Sequence, residues 1–390
     1  MRILALESYY GGSHRAFLDG WRAHSQHEWD VFTLPPYKWK WRMRHAPITF
    51  AEQLNARFGG QPTKSVEAPK TAPSEWDVLF CTDMLNLAEF IGLAPTAVRN
   101  LPRCVLFHEN QLTYPTQNED QRDLHFAFSN ITTALAADQV WFNSNFHQRE
   151  FLEAAFDLAK RMPDFQPIDA IKAIESKSTV QPLGINPCES AKPAKQDDVL
   201  DILWAARWEH DKDPDTFFAA VRELKKTQTP FRLHVLGESF RNVPTIFETA
   251  KQEFVNQIVQ WGYLESREEY LNAVAQSDVV VSTAQHEFLG LSVLEAMSAG
   301  VVPLLPERLS YPELLDIGNH EALASCLYDG SVESLAKCLT GFQRSLGTSV
   351  WETKQIQSRH ATDRFHWAFV APRLDNEILR LRRNDNPSDP

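Results

Sequence analysis

Short apolar runs recur along the chain, each followed by a polar or glycine-bearing turn and then by apolar residues at helical spacing. In the first half the runs are residues 2–6 (RILAL), 29–34 (WDVFTL), 76–81 (WDVLFC), 103–107 (RCVLF) and 139–142 (QVWF). In the second half they are residues 200–205 (LDILWA), 231–236 (FRLHVL) and 278–282 (DVVVS). Runs this short and continuous suit strands covered on both faces, as in parallel sheets. Between them, Phe17, Leu18 and Trp21 share one helical face, as do Phe151, Leu152, Ala155 and Phe156, and again Phe217, Phe218 and Val221. Alternation of strand and helix predicts the α/β class.

At 390 residues the chain exceeds one ordinary core and suits two domains of about 190 residues each. Residues 180–186 (VQPLGIN) read as the last strand of a first domain, 1–186. Residues 187–198, polar with two prolines and two lysines, read as a linker to a second domain, 199–351. A helical segment follows over 352–383, which Pro372 must kink or split, and then a disordered tail over 384–390. Residues 59–74 predict a loop.

Composition narrows the class. With 43% apolar and 23% charged residues the chain reads as soluble and globular. No apolar run reaches the roughly 18 residues of a membrane span, and residues 1–12 break at glycines too early for a signal peptide. Five scattered cysteines, with no C-x-x-C pair, predict reduced thiols in a cytoplasmic protein. A net charge of −12 argues against nonspecific nucleic-acid binding, so any such site has to be a local patch. Lys38, Lys40, Arg42 and Arg44 supply one, alternating with Trp39, Trp41 and Met43. Read as a strand, the alternation puts four cations on one face. That face is either a solvated edge or a surface for stacking and phosphate contacts with single-stranded RNA.

Candidate chemistry collects where strands end. After the run at 278–282, Glu287 and Glu295 flank a break at Gly290, with Glu295 about 7 Å along the following helix. The free amides of Gly290, Leu291 and Ser292 suit a phosphate. Two arrangements fit: a diphosphate over the amides with a sugar at Glu287 and a ribose at Glu295, or two solvated acids around an ordinary turn. Asp211, Asp213 and Asp215 have metal-like spacing, but Lys212 stands between the first two and Pro214 starts a helix before the third, which predicts no metal. In the first half, a glycine turn at Gly11 and Gly12 follows the first strand without a G-x-G-x-x-G fingerprint. His108, Glu109, Asn110 and Gln111 follow the fourth strand, at the end where open parallel sheets bind ligands.

The string HEFLGLSVLEA resembles the donor-binding motif of glycosyltransferase family 4, a Glu, seven residues and a second Glu, with Phe288 where most members have Gly. YYGGSH, YKWKWR, HENQ, RWEHDKDP and the ERLSYPEL loop extend the likeness more narrowly to the tRNA-queuosine mannosyltransferases. The resemblance implies the GT-B architecture, two Rossmann-like domains with a cleft between them and a final helix that returns to the first domain. It implies that Gly11 and Gly12 approach the sugar phosphate or the acceptor, and that Arg207 and Lys212 grip the donor diphosphate in a cationic pocket and stabilise it as it leaves. Gly262, Tyr263 and Leu264 border the base. Glu287 and His108 are implied at the reacting sugar, and Glu109 at the acceptor hydroxyls, where it is also a candidate general base. His14, Asn110 and the patch Lys38, Trp39, Lys40, Trp41, Arg42 and Arg44 are implied on the acceptor side. The implied reaction is retaining transfer of mannose from GDP-mannose to the cyclopentene diol of queuosine in tRNA, with no cofactor and no metal. Two rivals stay open: another family 4 enzyme with a lipid or small-molecule acceptor, and a noncatalytic nucleotide-sugar or tRNA binder. The sequence sets no oligomeric state.

Overall fold

The computed structural model describes residues 1–57, 75–115, 123–188, 195, 197–239 and 243–385. The chain forms two compact units, Met1–Gly184 with Trp367–Pro390, and Ile185–His366. In the first, β1 (Arg2–Glu7), β2 (Glu28–Thr33), β3 (Val78–Thr82), β4 (Arg103–Phe107), β5 (Gln139–Phe142) and β6 (Ser178–Val180) form one sheet in the order β2, β1, β3, β4, β5, β6. In the second, β7 (Leu200–Ala205), β8 (Phe231–Leu236), β9 (Ile258–Gly262), β10 (Val279–Val281), β11 (Val302–Pro306) and β12 (Leu327–Tyr328) are ordered β12, β11, β10, β7, β8, β9. Every pairing in both sheets is parallel. Helices cover both faces, which is why β3, β7 and β10 are buried at every position.

Strand order reverses between β1 and β3 in one unit and between β10 and β7 in the other. Ligands of doubly wound sheets bind beyond the carboxyl ends of the strands at such switch points. Those ends carry Glu7, Asp83 and His108 in the first unit, and the segments after Ala205 and Val281 in the second.

The outer elements differ from the sequence reading. Trp39–Arg57 is an α-helix, not an alternating strand. Period two holds over only seven residues there, whereas Met43, Ala46, Pro47, Phe50, Ala51 and Leu54 are buried at helical spacing over the longer stretch. The last strand of the first sheet is Ser178–Val180, ahead of the run at 180–186, and Ile168–Ser176 adds a helix the pattern did not suggest. The segment expected over 352–383 divides: Ser349–Thr362 lies in the second unit, and the crossing comes at His366 and Trp367. Trp367–Asp385 then continues through Pro372 as one helix. Trp367 anchors it, because a Cβ on Gly20 or on Gly184 would lie 2.3 Å from the Trp367 ring. Asp375 completes the docking by accepting from Trp21 Nε1, Ser25 Oγ and the Gln26 amide, each at 2.8 Å. The expected loop at 59–74, most of the linker and residues 386–390 lie outside the described residues. No described helix is long and apolar enough to cross a membrane.

Candidate active site

In the second unit, β10 runs into a loop that ends at Gly290, the N-cap of helix Leu291–Ser298. Gly290 has φ 89°, in the left-handed region that favours glycine, and no side chain caps the helix. The first amides are thus left to solvent or a ligand. Ser292 Oγ donates to Ala205 O at 2.7 Å, tying the helix start to the end of β7. The loop after β7 is joined to the same place by Thr283 Oγ1 on Lys212 O and by the Gln285 amide on Asp211 O, both at 2.8 Å.

Lys212 sits at the centre of this junction, buried. Its Nζ donates to His286 O at 2.7 Å and pairs with Asp211 at 3.1 Å and Glu287 at 3.3 Å. Burial opposes the ammonium, yet Glu287 and Asp211 outweigh it and raise its pKa. Burial likewise opposes the Glu287 carboxylate, and Lys212 outweighs it and holds it ionised. His286 is pushed down to about 4, first by burial and then by Lys212, so it stays neutral. Arg207, 44% exposed, pairs with Glu209 at 3.2 Å.

The pocket is therefore not cationic, as the sequence suggested. Arg207 and Lys212 meet Glu209, Asp211 and Glu287, and these five side chains carry one net negative charge. The motif placed Glu287 beside the two cations but gave Glu209 and Asp211 no part in holding them. Asp213 is also committed: it caps its helix at the Thr216 amide and accepts from Gln285 Nε2 at 2.7 Å. Among the described residues, no three His, Cys, Asp or Glu gather as a metal site.

Phe288 is buried edge-on to His286, ring centroids 4.6 Å apart, and so closes the loop behind Glu287. Glu295, one helical turn further on, is held by Arg267 and Tyr270. Gly262 ends β9 with φ 104°, Tyr263 is exposed and Leu264 is half-buried.

In the first unit the strand ends build a second polar cluster. Glu7, the last residue of β1, accepts from the Tyr9 amide at 2.8 Å and pairs with His14 Nδ1 at 3.2 Å. His14 stacks on His108 with ring centroids 4.0 Å apart, and Phe17 meets His108 edge-on at 5.6 Å. Asp83, following β3, accepts from the His108 amide at 2.8 Å. Both ring nitrogens of His108 are buried without a hydrogen-bond partner. Two imidazolium ions at this separation would repel by about 4 kcal/mol at an effective dielectric of 20, so one ring carries the charge. Burial opposes it at His14, but Glu7, Asp83 and Glu109 prevail and raise His14 to about 9. Burial, then His14 and His147, drive His108 well below its usual value. Burial foremost lifts Asp83 to about 7.

Asn110 is buried, and its Oδ1 accepts from the Leu112 and Thr113 amides at 3.0 Å, while Nδ2 has no partner. Glu109 is half-buried and accepts from Gln111 Nε2 at 3.3 Å. Gly11 lets Pro36 approach closely, and Gly12 opens helix Gly12–His24 with φ 51°. Glu7, Asp83, Arg267 and Tyr270 were missed in the sequence. The signal for the first two was an acid at the carboxyl end of a strand beside a switch point.

The basic patch sorts into two groups. Trp39 turns inward on Phe126, centroids 5.2 Å apart. Arg42 donates to Pro35 O at 2.8 Å and contacts His45; Arg44 contacts His125 and covers the Phe126 ring. Lys38, Lys40 and Trp41 are exposed, beside an exposed Tyr37.

Known proteins resemble this chain at the level of family, sequence and fold. Residues 2–185 match the family model tRNA-queuosine alpha-mannosyltransferase N-terminal, and residues 187–340 match Glycosyl transferases group 1. The chain is 33% identical over 384 residues to the tRNA-queuosine alpha-mannosyltransferase of Drosophila melanogaster, covering 95% of this chain and 94% of that one. Over 177 residues it is 21% identical to the GDP-mannose:cellobiosyl-diphosphopolyprenol alpha-mannosyltransferase of Xanthomonas oryzae pv. oryzae, covering 45% and 46%. The solved structure of Anabaena HepE in complex with UDP superposes with a TM-score of 0.66 at 13% identity, covering 97% of this chain and all of that one. That likeness shows the fold, two Rossmann-like units of the GT-B class.

Proposed function

As the chain belongs to the tRNA-queuosine alpha-mannosyltransferase family of group 1 glycosyltransferases, we propose that it transfers mannose from GDP-mannose to the cyclopentene diol of queuosine in tRNA. The observation that carries the donor half is the buried Lys212, 3.3 Å from Glu287, beside a helix start that no side chain caps. The diphosphate lies over the amides of Gly290, Leu291 and Ser292, with Arg207 and Lys212 as its side-chain partners. As the bond from sugar to phosphate breaks, charge grows on the departing GDP, and these groups stabilise it. Glu287 holds mannose hydroxyls, Glu295 the ribose, and Gly262, Tyr263 and Leu264 the base. Guanine and mannose come to the reading from the relatives' names.

In the first unit, Gly11 and Gly12 approach the sugar phosphate. Neutral His108 offers one N–H and one lone pair to sugar hydroxyls, and its unpartnered nitrogens support that role. His14 stands behind it. Asn110 reaches the diol through Nδ2, since its oxygen is spent on the loop. A diol oxygen bonds to the anomeric carbon, GDP leaves, and the diol proton passes to Glu109; the α configuration is retained. Lys38 and Lys40 meet phosphates of the RNA, and Trp41 stacks on an unpaired base. Arg42 and Arg44 act with them while also bracing the helix, and Trp39 supports it from beneath. The reaction needs no cofactor beyond the nucleotide sugar, and we place it in the cytoplasm.

Labelled GDP-mannose offered with tRNA containing or lacking queuosine tests the reading. Label entering only the queuosine-containing tRNA supports it, and equal labelling of both overturns the acceptor. Transfer only from another nucleotide sugar, or only to a lipid or small molecule, leaves the broader glycosyltransferase.

A further inference from the structure

Glu295 is held from two sides. Arg267 Nη2 donates to its Oε1 at 2.5 Å, and the Tyr270 hydroxyl donates to its Oε2 at 3.1 Å. Both donors stand on the first turn of helix Arg267–Gln276, where Arg267 also covers the Tyr270 ring at 5.1 Å. Burial first, and the Glu295 charge next, keep the Tyr270 phenol protonated and hence a donor. Arg267 occupies a position that local structure disfavours, since the start of a helix repels a cation. Ser266 already caps this helix at the Glu269 amide, and Glu268 and Glu269 already suit its dipole. The arginine is therefore explained by Glu295 and not by its own helix. The same helix follows directly on Gly262, Tyr263 and Leu264 at the end of β9.

We propose that Arg267 and Tyr270 are positioning residues for the ribose of the nucleotide, fixing the Glu295 carboxylate so that its free lone pairs face the 2′- and 3′-hydroxyls. The proposal rests on the ribose role given to Glu295 above. An ionised carboxylate has about four acceptor sites, and the two donors take one on each oxygen. The other pair suits the two adjacent hydroxyls of a ribose. A carboxylate already locked in place loses no rotamer freedom when the nucleotide arrives, which is how a supporting pair of residues strengthens binding.

The test is calorimetric titration of the full-length protein with GDP and with 2′,3′-dideoxy-GDP, which lacks only the two hydroxyls. The wild type is expected to prefer GDP by about tenfold or more, as a site built to bond a hydroxyl does. E295A abolishes the preference, and R267A and Y270F each cut it below about threefold, while dideoxy-GDP binds all four proteins alike. Y270F removes a single oxygen and Arg267 is more than half exposed, so melting temperatures near wild type are expected for both. Wild-type preference in R267A and Y270F, with E295A having lost it, overturns the proposal and leaves the ribose reading standing. Wild-type preference in E295A overturns both. Equal weakening of GDP and dideoxy-GDP in R267A and Y270F also overturns the proposal, because it marks general damage.

Discussion

His14 lies flat against His108, ring centroids 4.0 Å apart and planes 29° from parallel, and only His14 has a carboxylate on its ring. Glu7 therefore decides which imidazole is charged. His14 is raised from 6.5 to about 9, so its ion pair stabilises the folded state fully below pH 6.5 and that stabilisation is lost as pH rises through 9. We expect E7Q to cost roughly 1.5–3 kcal/mol at pH 6.5, the range for a charged hydrogen bond, and clearly less at pH 9.5. Urea denaturation at the two pH values measures this. A penalty independent of pH would mean that Glu7 acts only through the Tyr9 amide.

The charge balance around Lys212 makes an unusual prediction. Asp211 and Glu287 share one ammonium, and only Glu287 is assigned to the sugar. D211N removes the spare negative charge from the diphosphate site and frees Lys212 toward the ligand. GDP affinity should rise by about threefold or more, the scale of one like charge removed near a partly exposed site. K212M does the reverse, leaving two carboxylates unpaired, and should lower kcat by about a hundredfold or more. Binding and single-turnover measurements on the two variants check the pair. Weaker GDP binding in D211N would show that Asp211 serves the loop more than it opposes the ligand.

Much of this was legible in the sequence. The apolar runs marked most of the strands because parallel strands are covered on both faces, and Gly290 between two acids marked the helix start. Legibility failed where partners lie far apart along the chain. Arg267 and Tyr270 reach Glu295 across 28 and 25 residues, and no local pattern encodes that. It failed again at residues 38–44, where alternating cations and tryptophans imitated a strand while burial followed the helical period of the longer segment.

The patch should separate into residues that only contact RNA and residues that also brace the helix. Lys38, Lys40 and Arg44 are exposed, and Arg42 and Arg44 are also engaged with Pro35, His45, His125 and Phe126. We expect K38E with K40E to raise the KM for tRNA more than tenfold and to flatten its salt dependence, with hydrolysis of GDP-mannose unchanged. W41A should cost about 1–3 kcal/mol of RNA binding, the value of one stacked base. R42A should weaken RNA binding and lower the melting temperature as well, because the bond to Pro35 is lost with the charge. Transfer assays across a salt series, with thermal melts alongside, distinguish these outcomes.

Gly290 offers a control within its own helix. An alanine there has to adopt φ 89°, at a cost of roughly 1–2 kcal/mol for a left-handed residue. Its Cβ would lie 3.2 Å from the buried Tyr311 ring, which is fixed by the Tyr311 hydroxyl on Ser282. The ring cannot yield, so the backbone has to, and the amides of Leu291 and Ser292 move with it. Gly300, just past the far end of the same helix, has φ 80°, and the atoms nearest its Cβ would belong to the Arg359 side chain. G300A thus carries the same backbone penalty away from the phosphate site. Both variants should melt lower than wild type by similar amounts, but G290A alone should lose GDP affinity, by about tenfold or more, one lost charge-assisted contact to an amide being worth that much. If the two lose affinity equally, the amides after Gly290 are not where the diphosphate sits.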